Sequence, residues 1–477
     1  MRRTRLLVAL LLSALLAPAS ARAAASRGFL LTTDYSSGTL SVVDLATRAG
    51  TCDVAFVSPD PVARWYQGLL YVVNRFGYDN VQVIDPAHGY STVRQFSVGN
   101  GANPQDIAFA SPTKAYVSRL GSPDLLIVNP STGAGLGVIP LAAWADADGN
   151  PEPAHMIVVG DLLFVALERL SNFVPADTGL VVVVDMRADT VYDADPVTPG
   201  KQVVRLAGLN PSTGFAALPG EATAGERHLY VGCTGGWLAL DGGIEGIVVP
   251  LPAGAGSGVI RGAGFAITES ALGGDVVDVI GCAPDHSYAI VSDLSSNTSL
   301  VSWSPTTGTK LSTLYAPGGF SLSDAALDDR QEIYVCNSSF EAPGLRVFRT
   351  YSDAQLAGPL RVCLPPVQIV FDQESDLAAV GADPPARRLA LAPPAPNPAL
   401  HSVRLELEMP APGLARSAVF DLAGRQVRLL SSGPLPGGRT SLTWDLTDSG
   451  GQRVPAGIYL ARVVTAGATV TRRLVVL

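Results

Sequence analysis

The feature that most constrains this fold is a recurring unit of two short β-rich runs joined by a polar turn. Seven such units fit between about Gly28 and Gln373, spaced by roughly fifty residues. They include GFLLTTDYSSGTLSVVDLATR, LLYVVNRFGYDNVQVIDPAHG, KAYVSRLGSPDLLIVNPSTG and YAIVSDLSSNTSLVSWSPTTG. Many units are preceded by a strand that begins near a proline, as in NPQDIAFA, and followed by a further strand, as in VRQFSV. Four strands per unit with almost no helical periodicity predict an all-β fold, a seven-bladed β-propeller.

Closure of the ring is predicted from the two ends of this region. The first unit opens at GFLLTTD without a preceding strand, whereas PPVQIVFD near Gln373 resembles such a strand. The C-terminal strand is therefore expected to complete the N-terminal blade and remove its open edge. The long stretch from Asp185 to Ser304 also accommodates a count that differs by one.

The runs LYVVN…VQVID, AYVSR…LLIVN and LFVAL…LVVVVD resemble the YVTN-type propeller repeats of exported and surface-layer-associated bacterial proteins. The resemblance covers about residues 28–373. It implies a fold and leaves the function open, since propellers host many unrelated activities.

The N-terminus predicts export. Three arginines among the first five residues precede LLVALLLSALL, and Ala21-Arg22-Ala23 gives a small-x-small cleavage site, so residues 1–23 read as a signal peptide. No later apolar run approaches the ~20 residues that span a bilayer, which predicts a secreted or cell-surface protein without a transmembrane segment. Removing the four arginines of the signal changes the formal net charge from −9 to −13, which argues against a nucleic-acid partner.

The cysteines predict no metal or redox motif. Cys52, Cys233, Cys282, Cys336 and Cys363 lie far apart, without C-x-x-C spacing. In an oxidising compartment some are expected to pair, with at least one left over. The pairing itself stays open.

A second domain follows a linker. Residues 374–395 are rich in proline and alanine and read as a semi-rigid linker. Residues 396–477 alternate apolar and polar positions between Gly/Pro turns, which predicts a small Ig-like β-sandwich with Trp444 and Tyr459 in its core.

The run PNP, then FDLAGRQVRLL, WDLTDSGGQRVPAGIYLARVV and RRLVVL, resembles the Ig-like domain of flagellar hook-capping proteins and, equally, type IX secretion C-terminal sorting domains. The second resemblance implies an outer-membrane secretion machine as a partner. The family pattern WDG is Trp444-Asp445-Leu446 here. A spacer or stalk is the alternative interpretation.

Two groups of polar residues are predicted on one face of the propeller. With strands lettered A to D from the axis outward, the B–C loops and the D–A connections share a face. Arg75, Arg119 and Arg169 follow strand B in three successive units, as VVNR, YVSR and ALER. They are candidates to bind a carboxylate or phosphate, or to pair with nearby acids.

The second group lies nearer the axis. Aligning the starts of strand A superposes one polar residue per unit: Arg64, Asp106, His155, Asp278, Asp324 and Gln368. They form a candidate ligand ring at the mouth of the channel. The alternative is that each side chain satisfies a backbone donor of the next blade.

A calcium site is a further hypothesis. Asp146, Asp148, Asn150 and Glu152 offer four oxygen-bearing side chains around Gly149. The loop lacks the glycine position and the terminal glutamate of an EF-hand, so the alternative is a solvated loop that pairs with Arg119 or Arg169. Calcium is the one cofactor that the sequence suggests.

The sequence carries no G-x-S-x-G, no H-E-x-x-H and no glycine-rich phosphate loop. The favoured function is therefore a non-catalytic binding or scaffold propeller for a protein, peptide or glycan. The alternative is a hydrolase or lyase acting on a small anionic substrate such as a lactone, with His155, Asp106 and Arg64 as its catalytic residues. A deep pocket holding His155 with converging Asp and Arg would favour the enzyme, and a plugged mouth would favour binding.

Overall fold

The computed structural model describes residues 25–218, 225–251, 258–339, 341–373, 390–391, 394, 397–409, 413–421, 424–435, 438–465 and 469–477. The predicted signal peptide lies outside the described residues, as does most of the predicted linker. The chain divides into two compact units, Met1–Val380 and Gly381–Leu477. The described helices are short, and none has the length and hydrophobicity to cross a bilayer.

The first unit consists of antiparallel sheets taken in chain order. Sheet 1 contains β1 (Arg27–Thr33), β2 (Gly38–Asp44) and β3 (Gly50–Val57). Sheet 2 contains β4 (Pro61–Tyr66), β5 (Leu69–Asn74), β6 (Asn80–Asp85) and β7 (Ser91–Ser97). Sheet 3 contains β8 (Pro104–Ser111), β9 (Lys114–Arg119), β10 (Asp124–Val128) and β11 (Gly135–Pro140).

Sheet 4 has a five-stranded arrangement in which two strands pair with the same neighbour. Sheets 4 and 5 contain β12 (Pro153–Val159), β13 (Leu162–Leu167), β16 (Thr178–Asp185), β17 (Thr190–Val191) and β18 (Val204–Leu209), then β19 (Ala216–Ala217), β20 (Glu226–Cys233), β21 (Gly243–Pro250) and β22 (Arg261–Thr268). A small ribbon, β14 (Leu170–Ser171) with β15 (Val174–Pro175), extends the connection between β13 and β16.

Sheets 6 and 7 complete the series of seven among the described residues. They contain β23 (Asp275–Ala283), β24 (His286–Ser292), β25 (Thr298–Ser304) and β26 (Thr309–Tyr315), then β27 (Leu322–Leu327), β28 (Glu332–Asn337), β29 (Gly344–Arg349) and β30 (Gln355–Leu360). The short helical turns are Pro86–His88, Ala142–Trp144 and Glu269–Leu272.

The ring closes through β31 (Pro366–Phe371), which pairs antiparallel with β1 and becomes the innermost strand of sheet 1. The sequence-based prediction that the C-terminal strand completes the first sheet is thereby confirmed. A disulfide between Cys52 of β3 and Cys363, just before β31, joins the same two ends of the propeller, while Cys233, Cys282 and Cys336 are free and buried.

The hydrophobic core lies between neighbouring sheets. One cluster joins sheets 1 and 2, with Phe29 and Leu31 packed against Leu70 and Val72, and equivalent clusters join each later sheet to the next. A further cluster joins sheet 7 back to sheet 1. Because the packing returns to its starting sheet, the first unit is a closed β-propeller.

This packing explains the sequence pattern. Each middle strand is covered by sheets on both sides, so β13 is buried along its whole length and reads as the continuous apolar run LLFVAL. The outermost strand β11 has solvent on its outer edge and is mostly exposed. Strands with two buried faces therefore lose the alternation that marks a half-exposed strand.

The second unit has two antiparallel sheets around one core. The first contains β32 (Ala390–Leu391), β33 (Val403–Met409) and β36 (Gly438–Trp444), and the second contains β34 (Gly413–Phe420), β35 (Gln426–Leu435), β37 (Gly457–Thr465) and β38 (Thr469–Val476). Trp444 and Tyr459 lie in this core with ring centroids 5.4 Å apart, as the sequence predicts.

Candidate functional site

The six predicted ring residues all lie on innermost strands. They occupy β4, β8, β12, β23, β27 and β31, in six of the seven described sheets. In five of these strands the pairing register shifts beside the ring position, as between Val276 and Asp278 or Leu322 and Asp324. A β-bulge inserts an extra residue and re-aims the neighbouring side chain. The bulges therefore recur at the same height on the inner wall of the propeller.

Four ring side chains accept backbone hydrogen bonds from the next sheet. The carboxylates do so at 2.9–3.0 Å and the Gln368 amide oxygen at 2.8 Å. The bonds run from Met156 N to Asp106 Oδ2, from Ala325 N to Asp278 Oδ2, from Ile369 N to Asp324 Oδ2 and from Ala63 N to Gln368 Oε1. This hydrogen-bonded belt ties successive inner strands together and satisfies donors on the edge of each innermost strand that has no neighbouring strand in its own sheet.

Arg64 supplies the positive charge of the belt. Its Nη2 donates to Asp106 Oδ2 at 2.9 Å, and Nη1 donates to the Ala63 carbonyl at 3.2 Å. Burial lowers the pKa of this guanidinium, but the carboxylates of Asp106, Asp324 and Asp278 outweigh burial and raise it. Arg64 is therefore a fixed cation inside the channel.

A cavity of about 340 Å³ opens at the channel mouth. Its polar lining includes Asp60, Arg64, Arg75, His155, Ser212, Thr213, Asp278, Ser323, Asp324 and Gln368. Burial raises the pKa of Asp324 to about 6, and burial together with the charge of Asp324 raises the pKa of Asp278 well above its usual range. Both groups therefore bind a proton more readily here than in water, and the charge of Arg64 opposes this shift in each.

His155 lines the same cavity without an acidic hydrogen-bond partner. Burial lowers its pKa to about 4, despite the opposing effect of Asp106. Its Nδ1 is buried and makes no hydrogen bond. Both oxygens of Asp106 are taken by Ile107 N, Met156 N and Arg64. The imidazole is therefore neutral at neutral pH and is not oriented by that carboxylate.

The three arginines after strand B each have local partners. Arg75 lines the cavity, pairs with Asp60 (Nε to Oδ1, 3.1 Å) and donates to Gln105. Arg169 pairs with Asp177 at 2.6 Å. Arg119 donates to the Val98 carbonyl at 3.1 Å. Arg75 is thus the member of this group that the structure places beside the ring residues.

The loop with the four candidate calcium ligands connects β11 to β12. Glu152 points inward, where its Oε2 accepts a hydrogen bond from Leu170 N at 2.8 Å, and Asn150 Nδ2 donates to the Leu120 carbonyl at 2.7 Å. Asp146 Oδ2 and Asn150 Oδ1 are buried without partners. Among the described side chains, no group of three or more His, Cys, Asp or Glu is arranged to hold a metal ion.

Several lining residues were not predicted from the sequence. Asp60 and Tyr35 come from loops on the same face, and Ser212 and Thr213 come from the connection into sheet 5. The signal for Asp60 is its position one residue before β4, which is equivalent to the position of Glu152 before β12. No such signal identifies Ser212 and Thr213 before sheet 5, because the first strand of that sheet, β19, has only two residues.

Comparisons with known proteins bear on the fold alone and give no information about the function. No family model matches the chain, and a search of curated proteins finds no significant relative. Similar solved structures include a putative 6-phosphogluconolactonase from Bacteroides fragilis, with 12% identity and a TM-score of 0.48 over 74% of this chain and 99% of that one. The Swd1 propeller domain from Myceliophteria thermophila has 14% identity and a TM-score of 0.48 over 65% and 89%.

Hydrazine synthase from Kuenenia stuttgartiensis is also similar, with 14% identity and a TM-score of 0.46 over 70% of this chain and 98% of that one. Identities this low speak for the fold alone, and TM-scores below 0.5 carry no argument about function. The sheet order, the packing between sheets and the closure through β31 make the chain a β-propeller protein with a second β-sheet unit. The YVTN and Ig-like resemblances stay predictions.

Proposed function

We propose that this protein is a secreted or cell-surface, non-catalytic propeller that binds a protein, peptide or glycan on the face that carries the B–C loops and the cavity. The observation that supports binding over catalysis is the hydrogen-bonded belt. Asp106, the carboxylate nearest to His155 in the predicted catalytic set, has both oxygens engaged by backbone N–H groups and Arg64. His155 has no carboxylate partner to orient it as the base of an acid–base pair, and its hydrogen bond goes to the Ser212 backbone instead.

The alternative, a hydrolase or lyase for a small anionic substrate such as a lactone, has one observation in its favour. The channel mouth is open, and His155 and Arg64 both line the cavity together with Asp60, Asp278 and Asp324. This is the arrangement expected from the sequence if the protein is an enzyme. Turnover of a panel of lactones and carboxylic esters by the mature protein and by His155→Ala separates the two functions. We expect no turnover by either protein. Turnover by the wild type that His155→Ala abolishes would establish the enzyme and refute the binding proposal.

The C-terminal unit is proposed to export or anchor the propeller, as an Ig-like sorting domain. Support comes from its motif resemblance and from its own core around Trp444 and Tyr459, which is separate from the propeller clusters. A chain truncated near Pro394 is expected to lose the cell-surface or extracellular location of the full-length protein. If both chains reach the same place, the unit is a spacer.

A further inference from the structure

Exposed apolar side chains surround the cavity mouth. Several, each between 50% and 79% exposed, come from the loops of this face, and we call one aromatic residue from each of five loops the apolar crown: Tyr35, Phe76, Phe173, Trp237 and Phe320. Four lie in B–C connections of different sheets, and Phe320 lies in the connection from sheet 6 to sheet 7. Tyr35 also lines the cavity. Large apolar groups at the tips of several loops on one face are typical of an interaction surface.

Two crown residues are held in an unfavourable backbone conformation. Tyr35 and Phe173 have φ values of 66° and 63°, in the left-handed region that bulky side chains rarely adopt. Trp237 meets Phe320 edge to face, with ring centroids 5.6 Å apart. The loops thus place aromatic rings in solvent in defined positions.

The same face is strongly acidic. Among the described residues of its B–C loops and D–A connections, twelve carboxyl groups face three arginines, and Arg119 at the end of β9 adds a fourth. The carboxylates are Asp34, Asp60, Asp79, Asp146, Asp148, Glu152, Glu168, Asp177, Asp241, Glu269, Asp293 and Glu341, and the arginines are Arg75, Arg169 and Arg361. Burial raises the pKa of Glu152 and Glu269 to about 7 and that of Glu168 to about 8. The other nine carboxyl groups still outnumber the four arginines, so the face attracts cations over long range.

The cavity repeats this imbalance at short range. Arg64 forms its ion pair with Asp106 and Arg75 forms its ion pair with Asp60, so Asp278 and Asp324 make no ion pair with a described residue, although the charge of Arg64 lowers the pKa of both. Asp324 uses Oδ2 to accept the Ile369 N–H, and its other oxygen makes no hydrogen bond to the described residues. An incoming cationic group would find an acceptor already in place.

The belt itself does not require these charges. Gln368 accepts the Ala63 N–H at 2.8 Å, in the role that Asp324 plays toward Ile369 at 2.9 Å. A neutral amide therefore completes the belt, without the desolvation cost that raises the pKa of Asp324. Negative charge at Asp278 and Asp324 is in excess of what the fold needs.

We propose that this face binds a basic segment of a partner protein, with one lysine or arginine side chain seated in the cavity against Asp278 and Asp324 and with apolar neighbours packed on the crown. The inference rests on the proposed binding function and names its ligand class. Charge-assisted hydrogen bonds satisfy the cation, and aromatic rings stack on its flanking side chains. Anionic ligands, phosphates included, meet unfavourable charge on the rim.

The test uses short synthetic peptides with a central lysine or arginine between apolar residues, and matched peptides with a central glutamate. Binding to the mature protein is measured by fluorescence anisotropy at low and raised NaCl concentration. We expect the basic peptides to bind and the acidic ones not to bind. Asp324→Asn, which keeps the acceptor for Ile369 N, should weaken binding by about tenfold or more. Tyr35→Ser and Phe76→Ser should weaken it as well.

Two matched controls lie away from this face. Asp285→Asn removes an exposed carboxylate from the turn between β23 and β24, and Tyr351→Ser removes an exposed tyrosine from the turn between β29 and β30. Both should bind as the wild type does. Equal binding of basic and acidic peptides, or full affinity in Asp324→Asn and in the crown variants, overturns the proposal.

A glycan array and the lactone panel distinguish failure of the basic-peptide inference from failure of the proposed binding function itself. Glycan binding that the crown variants abolish, without peptide binding, overturns the basic-peptide inference and leaves the binding function standing. Turnover that depends on His155, without binding of either ligand class, overturns both. Thermal melting of each variant verifies that it is folded.

Discussion

The substitution Glu152→Gln tests whether the buried carboxylate of Glu152, in the loop before β12, destabilises the fold when it is ionised. Glu152 is 6% exposed, and its Oε2 accepts the Leu170 N–H at 2.8 Å. Burial, reinforced by the charges of Asp148 and Asp146, raises its pKa to about 7, although the hydrogen bond from Leu170 opposes the shift. Glutamine keeps a side-chain oxygen for that hydrogen bond and removes the charge.

The direction of the stability change with pH follows from the raised pKa of Glu152. A carboxyl group that binds its proton more tightly in the folded state stabilises the fold at low pH, and this stabilisation is lost as the pH rises from about 4.5 to about 7. A difference of roughly 2.5 pKa units corresponds to about 3 kcal/mol at 1.36 kcal/mol per unit. We therefore expect Glu152→Gln to be more stable than the wild type by about 3 kcal/mol at about pH 8.5, and by less than about 1 kcal/mol at about pH 5.

Equilibrium urea unfolding, followed by tryptophan fluorescence and circular dichroism at the two pH values, measures this difference. The exposed Glu226 at the start of β20 provides the control, because Glu226→Gln removes the same charge from a solvated site. A stability gain that is the same at both pH values, or a loss at pH 8.5, would refute the reasoning.

The same pair of proteins tests the calcium hypothesis. A bound calcium ion would favour ionised Glu152, so calcium at pH 8.5 should raise the melting temperature of the wild type and not that of Glu152→Gln. Isothermal titration with calcium gives the direct measurement. No heat and no change in melting temperature for either protein would end the metal hypothesis for Asp146, Asp148, Asn150 and Glu152.

Two other predictions concern the propeller. Cys52→Ser opens the disulfide that links the ends of the ring and should cost about 2–5 kcal/mol of stability, measured by urea unfolding; a reducing agent should shift the wild type equally and leave the variant unchanged. Asp353→Ala leaves the donors His286, Tyr288, Ser302 and Ser312 without their acceptor and should cost about 3 kcal/mol or more, against about 1 kcal/mol for Tyr288→Phe. Equal losses in these two variants would contradict the assignment of Asp353 as the centre of that network.

The sequence predicts the propeller because its repeat is local. Each unit contains its own strands and turns, and the hydrophobic runs of β5, β9 and β28 predict buried strands from local sequence alone. The positions of the ring residues follow from aligning units, which is why Asp106 and Asp324 are found on equivalent inner strands.

The hydrogen bonds of the ring could not be predicted in the same way. They depend on β-bulges, and a bulge adds one residue that no composition or periodicity marks. Cys52 and Cys363 are separated by 311 residues, so only closure of the ring identifies them as partners among five cysteines. The sequence also did not identify Asp60 and Asp177 as the partners of Arg75 and Arg169, because several acids lie in the loops near each arginine.

The structural and functional interpretations of the ring are compatible, because a carboxylate has two oxygens. Asp324 gives one to the backbone of the next sheet, and this bond fixes the orientation of the other toward the cavity. A side chain held in this way loses little rotamer entropy when a ligand binds, so its contribution to affinity is larger than that of a mobile surface acid. Both oxygens of Asp278 accept backbone N–H groups, from Val279 and Ala325, so an amide there would also disturb the belt. The belt that stabilises the ring is therefore also the support that holds Asp324 rigidly in the cavity, and replacing Asp324 with asparagine separates the two roles.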